Sequence, residues 1–275
     1  MIVSQSLNLR SMSKISQPLT QAQITAHIRQ ILFPKGVCCP RCAKRYSFKI
    51  HRQYYCKKCR FKFSLQRCTL FAHSKLSFAE LWQLLDCWLG ELSFEDTAHV
   101  TNLSHMTVRR WYRKFNALIP DQTYQLSGTV EIDEAFIGRK KFKNQTIVIG
   151  ALERAHNKVV LKCIPDREQG TTDKFILETI APQSMIYTDG HGGYQRLTEF
   201  FGYGHEWVNH SIGHFGLTNR IENVWMCLRR FIKKVYHHVW AVHLPNILRE
   251  FQARRSYPKA FTNQLSFLSY VFQIS

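Results

Sequence analysis

"TVEIDEAFIGRKK", residues 129–141, reads as a short buried β-strand with acids in its middle. Val130, Ile132, Phe136 and Ile137 supply the apolar frame, yet Glu131, Asp133 and Glu134 interrupt it. Carboxylates are seldom buried unless they are paired or bind a metal. By strand alternation Glu131 shares a face with Asp133, while Glu134 points the other way. Two more apolar, β-branched runs follow, "QTIVIGALER" and "KVVLKCIP", separated by short polar turns. Together the three read as an antiparallel meander. "TTDKFILETIAP" is then a helix, "SMIYTDG" a strand ending in an acid, and "GYQRLTEFF" a helix. "HEWVNHS" is a short strand, and "LTNRIENVWMCLRRFIKKVYHHV" a long amphipathic helix. Three strands, helix, strand, helix, strand, helix is the order of the ribonuclease H-like fold, an α/β class built on a mixed sheet.

Two further acids share the oddity of Asp133. Asp189 closes its strand just before Gly190, and Glu222 lies on the last helix in "TNRIENVW". If the first and fourth strands lie side by side, Asp133 and Asp189 project into one space, which Glu222 completes from a crossing helix. A lone strand-end Asp is more often a cap or a surface residue. Three together repel one another and raise at least one pKa, a penalty that hard divalent cations remove. Mg²⁺ takes oxygen ligands and keeps positions for water and phosphate. Two such ions, Mg²⁺ or Mn²⁺, about 3.5–4 Å apart suit phosphodiester displacement. The expectation is two ions on Asp133, Asp189 and Glu222.

The charge points to the substrate. The 275 residues hold 38 Lys and Arg against 19 Asp and Glu, a formal net charge of +19. The first acid in the chain is Glu80, while residues 35–75 alone carry twelve Lys or Arg. Tyr54, Tyr55, Phe61 and Phe63 are interleaved with them. That combination suits a polyanion such as double-stranded DNA, and solubility alone does not require it. No run of about 18 apolar residues is present, and the N-terminus lacks a charged start followed by an apolar stretch, so a bacterial cytoplasmic, nucleoid-associated protein is expected.

"CCPRCAKRYSFKIHRQYYCKKCRFKFS" contains Cys39-x2-Cys42, thirteen residues, and Cys56-x2-Cys59. Two such knuckles form a thiolate cage for one structural Zn²⁺. Cys38 reads as a bystander; Cys68, Cys87, Cys163 and Cys227 read as small buried hydrophobes. Beyond the ribbon, "LSFAELWQLLDCWLG" is a helix capped by Ser77, "SFEDTAHV" a second short one, and "HMTVRRWYRKFNAL" a third that opens at Ser104. Two short helices, a tight turn and a basic third helix make a helix-turn-helix, which places His105, Thr107, Arg109 and Arg110 toward a DNA groove. A plain helical hairpin is the bland alternative. The expected domains are residues 19–75 (helix and zinc ribbon), 76–118 (helix-turn-helix), 119–127 (linker), 128–257 (catalytic domain) and 258–275 (tail).

Taken in order, "CPRC" with "CKKC", "VEIDEAFIG", "IYTDGHGGY", "VNHS", "TNRIENVW" and "YHHV" with "LPNILREFQARRSY" resemble the insertion-sequence DDE transposases of the ISXO type. The resemblance runs from about residue 20 to 257. It implies a ribonuclease H-like nuclease and strand-transferase that binds terminal inverted repeats and joins them to target DNA as a homodimer or higher oligomer. It also implies Asp133, Asp189 and Glu222 as the metal-binding acids, with Arg229, seven residues after Glu222, touching a phosphate near the cleavage site. Two departures stand out. Leu217 falls by the spot where the family's usual "HTN" has its His, and Arg229 replaces the more usual Lys, a fork in place of a point charge.

Of the histidines, His210 and His214 are expected on the active-site side, with His205, His237 and His238 in local hydrogen bonds. Tyr236 has no partner arrangement for covalent catalysis. The competing functions are a catalytically silent DNA-binding regulator derived from a transposase and a structure-selective nuclease of the same fold.

Overall fold

A computed structural model describes residues 20–33, 35–45, 47–50, 53–65, 67, 71, 74–138, 145–189, 194, 202–208 and 218–273. The "GYQRLTEFF" helix apart from Tyr194, and Cys68, Gly190, His210, His214 and Leu217, lie outside them. Packing divides the chain into two compact units, Met1–Trp82 and Gln83–Ser275.

The first unit starts with α1 (Gln21–Leu32), which Thr20 and Gln23 cap reciprocally and which buries Ile24 and Ile28 one turn apart. Three short antiparallel strands follow, β1 (Ser47–Ile50), β2 (Gln53–Cys56) and β3 (Lys62–Phe63), in that order across the sheet. Cys39, Tyr54, Cys56, Phe63 and Leu65 form its small core.

The second unit holds the five-stranded sheet. β4 (Thr129–Ile137), β5 (Thr146–Glu153) and β6 (Val159–Ile164) form the expected meander. β7 (Met185–Asp189) and β8 (Gly204–Val208) extend it in parallel from the other side of β4. The order β6-β5-β4-β7-β8, with the first strand central, is the ribonuclease H-like topology. One face carries Val130 and Ile132 into a core with Ile149, Ala151 and Ile186 and with Phe175 and Ile176 of α5 (Gln169–Thr179). The opposite face of β4 meets α6 (Asn219–Phe231), which buries Ile221, Val224, Trp225 and Leu228. The edge strand β6 is covered by α7 (Leu244–Ser256), where Gln252 accepts from the Leu161 N–H at 2.5 Å and Ser256 from Val159 at 3.4 Å.

α2 (Phe78–Leu89), α3 (Phe94–Thr101) and α4 (His105–Leu118) appear where the sequence places them. Ser93 and Ser104 cap α3 and α4, and Asn102 ends α3 at a left-handed φ of 55°. The unit boundary falls inside α2, and α3 and α4 share a unit with the five-stranded sheet. The cause is a second core. Trp88 packs on Phe115 of α4 at 5.5 Å between ring centroids, and on Phe267 of α8 (Gln264–Gln273) at 4.9 Å. The stretch expected to be a tail therefore contains an apolar helix, with Phe267 and Leu268 buried. Fully buried Glu250 anchors this core by taking Arg254 in an ion pair and the Tyr236 hydroxyl in a hydrogen bond. Tyr236 also accepts from Asn116 of α4 at 3.1 Å. It closes a π-helical turn, Ile232–Tyr236, that replaces the end of the long helix read from the sequence. Among the described residues, no helix is long and apolar enough to cross a membrane.

Candidate active site and zinc ribbon

The three acids of β4 have three different environments. Glu131, fully buried, forms an ion pair with Arg154 at 2.7 Å. Its other oxygen accepts the backbone N–H groups of Arg220 and Ile221, both at 2.9 Å, and so seats the first turn of α6. Glu134, on the opposite face, pairs with Arg167 at 2.8 Å and accepts from the Tyr194 hydroxyl. Asp133 accepts the indole N–H of Trp225 at 2.9 Å. Burial pushes its carboxyl up to about 6, and the nearby Asp189 and Glu134 add to the rise while Trp225 and the Glu134 backbone oppose it.

Asp189 ends β7, the parallel neighbour of β4. Glu131 stands opposite Tyr187 at the last paired position, and Asp133 and Asp189 lie two residues beyond it on their strands, near enough for Asp189 to raise the Asp133 pKa. α6 brings Glu222 in its first turn, exposed, with its Oε1 3.2 Å from the Thr218 hydroxyl. Trp225 and Arg229 follow three and seven residues on, along the same side of the helix. Asp133 and Asp189 thus lie on neighbouring parallel strands, and the helix bearing Glu222 packs against β4 and β5. Unlike the cysteines, the three carboxylates are not all within 4.8 Å of one another.

Sequence reading missed Trp225. Its clue was Gly150, a glycine inside a continuous apolar strand, which often marks a close approach. Gly150 pairs with Asp133, and a Cβ built there meets the Trp225 ring at 2.5 Å. The indole occupies the gap and reaches Asp133 from it. Arg154, Arg167 and Tyr194 were also missed, each being remote in sequence from its acid.

On α4, His105, Arg109 and Arg110 are exposed, with the Arg109 guanidinium 5.3 Å over the Phe94 ring. Thr107 is half-buried and bonded to the cap, 2.9 Å from the Ser104 hydroxyl. Exposed Met106 and Arg113 extend the same surface. Burial pushes the His205 pKa down, and the ring lies 2.9 Å from the Thr188 hydroxyl. Cys163 and Cys227 are only half-buried, whereas Cys87 is buried as expected.

In the ribbon, Sγ atoms of Cys39 and Cys59 are 3.5 Å apart, those of Cys42 and Cys56 3.6 Å, and all four lie within 4.8 Å. A tetrahedron with metal–sulfur arms of about 2.3 Å has edges of about 3.8 Å, so the four fit one Zn²⁺. The knuckles are built alike. Ala43 N–H bonds to Cys39 O and Arg60 N–H to Cys56 O, with Ala43 at φ 55° and Arg60 at φ 58°. Backbone N–H groups in the second knuckle hold the Cys56 thiol down to about 6, toward the thiolate a metal needs.

Residues 125–256 match the ISXO2-like transposase domain, and residues 19–62 match a transposase zinc-ribbon domain. The uncharacterized protein in transposable element ISH50 of Halobacterium salinarum is 26% identical over 260 residues, covering 83% of this chain and 88% of its own length. Among solved structures, the catalytic core domain of BIV integrase is 15% identical over 46% of this chain and 82% of its own, with a TM-score of 0.36. The HTLV-2 integrase catalytic core domain, solved in complex with magnesium, is 12% identical over 48% and 87%, with a TM-score of 0.33. Those structural overlaps are loose, and the fold assignment stands on strand order. The two domain matches, ribbon before transposase domain, fall in the order of the motifs and support the resemblance to the insertion-sequence DDE transposases of the ISXO type.

Proposed function

We propose that the chain binds the terminal inverted repeats of an insertion sequence and catalyses metal-dependent DNA cleavage and strand transfer. The observation that carries this reading is that Asp133 and Asp189 lie on adjacent parallel strands, with the helix that bears Glu222 packed on the first of them. The donor set fits hard cations. All three side chains offer oxygen, and Asp133 is buried beside other acids with an indole N–H, not a cation, for its hydrogen-bond partner.

Asp133, Asp189 and Glu222 would hold Mg²⁺ or Mn²⁺, which supply activation of the attacking oxygen and charge relief at the leaving one. The chain's own residues set the stage. Trp225 fixes one oxygen of Asp133, so that carboxylate does not rotate away from the site. Glu131 seats the first turn of α6 and thereby the height of Glu222 over the sheet. Arg229, exposed seven residues after Glu222, would grip a phosphate. Water attack on the phosphorus at the element's end breaks its P–O3′ bond and frees a 3′-hydroxyl, which then attacks a target phosphorus, forming a new phosphodiester as the target's own 3′-oxygen leaves. No covalent protein–DNA intermediate is required. The basic ribbon, closed by Zn²⁺ on Cys39, Cys42, Cys56 and Cys59, and the exposed residues of α4 locate the ends. Joining two ends calls for at least two copies in the active complex.

The test is Mg²⁺-dependent cleavage of DNA carrying the element's ends by wild type and by Asp133→Asn, Asp189→Asn and Glu222→Gln. The expected result is cutting by wild type and loss of at least about 10³-fold in each variant, the scale on which positioned electrostatic catalysis operates. Wild type that binds ends without cutting leaves the regulator; variants that cut equally well remove the assigned site.

A further inference from the structure

We propose that the outer face of the ribbon sheet is a stacking platform for single-stranded DNA. This deepens the DNA-handling reading above and rests on it. The two faces of the sheet differ sharply. On one, Tyr54 pairs with Phe63 and both are buried in the core around the cysteines. On the other, Phe48, Tyr55 and Lys62 stand in a row across the three strands. Phe48 is 40% exposed, and Ile50, two residues along the same edge strand, is 42% exposed. Tyr55 holds Phe48 edge-on, with ring centroids 5.5 Å apart and planes at 68°. The Lys57 ammonium sits 5.3 Å from the Phe48 centroid.

An apolar face this open asks for an occupant, and its charge selects one. Lys57 and Lys62 flank the rings, and no acidic residue precedes Glu80. A second copy of the same face would bring like charges together, which disfavours self-association. A polyanion with apolar surfaces suits both features. Duplex DNA hides the faces of its bases and offers only edges and phosphates, so the rings add little to duplex binding. An unpaired base offers its whole π-face, stacks on an aromatic ring irrespective of sequence, and places its phosphate within reach of a nearby cation. Opened strands of this kind arise at DNA ends during cleavage and joining, so the platform has a use in the proposed reaction.

The test uses the full-length, zinc-loaded chain and two labelled probes at one salt concentration, oligo(dT) and a blunt duplex bearing the element's end. Phe48→Ala is expected to weaken oligo(dT) binding on the order of tenfold while leaving duplex binding within about twofold. Phe48→Trp is expected to retain oligo(dT) binding, with its added indole fluorescence quenched by the probe. Unchanged zinc content shows that the ribbon of each variant is intact. Equal loss on both probes, or no loss on oligo(dT), overturns the platform. A wild type that binds neither probe overturns the DNA-binding reading itself, and a wild type that binds duplex but not oligo(dT) overturns the platform alone. Self-association abolished by Phe48→Ala would show a second copy as the occupant and likewise sink the proposal.

Discussion

The ribbon and the catalytic sheet both gather metal-type ligands, but the ligands stand in opposite relations to the core. In the ribbon they are part of the core: Cys39 and Cys56 are buried among Tyr54, Phe63 and Leu65, with Phe33, Val37 and Phe61 packed against them. In the catalytic unit the sheet has an apolar core of its own, and Asp133 is a burden on it. Its carboxyl is pushed up to about 6 because burial and neighbouring acids disfavour its charge. On the proposed function, a metal would fold the first region and serve chemistry in the second. Small domains lean on metals because their apolar burial is slight, whereas a sheet flanked by helices does not need one.

The largest test of that contrast is Cys42→Ser. Structural zinc in such a site contributes on the order of 10 kcal/mol in all, and removing one of four ligands forfeits a large part of it. Amide exchange across residues 35–65 should become fast while β4 and β5 stay protected. Equal protection in the ribbon would break the comparison. Next in size is Glu131→Gln, which strips the charge from a buried pair with Arg154 and weakens the seat of α6. It should cost about 3–5 kcal/mol of stability by denaturant unfolding. A loss below about 1 kcal/mol would place Glu131 among ordinary surface pairs.

Asp133→Asn should act with the opposite sign. The folded carboxyl lies at about 6 against an ordinary value of 3.8. Because the folded value is raised, the penalty is absent below pH 4 and grows as pH rises to 6. Without added Mg²⁺, wild type should lose up to about 3 kcal/mol across that window that the variant does not lose. At pH 7 the variant should melt higher. Mg²⁺ should then raise the melting temperature of wild type and leave the variant unmoved. A variant that melts lower at pH 7 would show that Asp133 stabilises the fold. The smallest expected effect on stability is that of Trp225→Phe, which keeps a ring over Gly150 and removes the donor to Asp133. Stability should fall by about 1 kcal/mol, whereas Mn²⁺ affinity by calorimetric titration should drop 10- to 100-fold. Unaltered affinity would make Trp225 a packing residue only.

How far the sequence could be read follows the same division. Both knuckles lie within 21 residues of chain, Cys39 to Cys59, so their spacing alone declares them. The strands of the sheet were legible because their apolar runs have a clear period and polar ends. The partners of Glu131 and Glu134 were not, since Arg154, Arg220, Arg167 and Tyr194 reach them only through the folded topology. The helices before the sheet were visible, but not their attachment to it. Trp88 and Phe267 are far apart in sequence, and no local pattern announces that they touch. The aromatic end of the chain could have warned against a tail, because Phe267, Leu268 and Val271 recur at helical spacing.

The seat that Glu131 provides for α6 bears on how decaying copies of such elements are counted. A survey that scores a copy as intact when its three metal-type acids survive would pass one that has lost Glu131. The motif would look whole while the helix carrying its last acid had lost its footing. Counting this fourth acid alongside the three proposed to hold metal should separate live copies from silent relics more cleanly than the three alone.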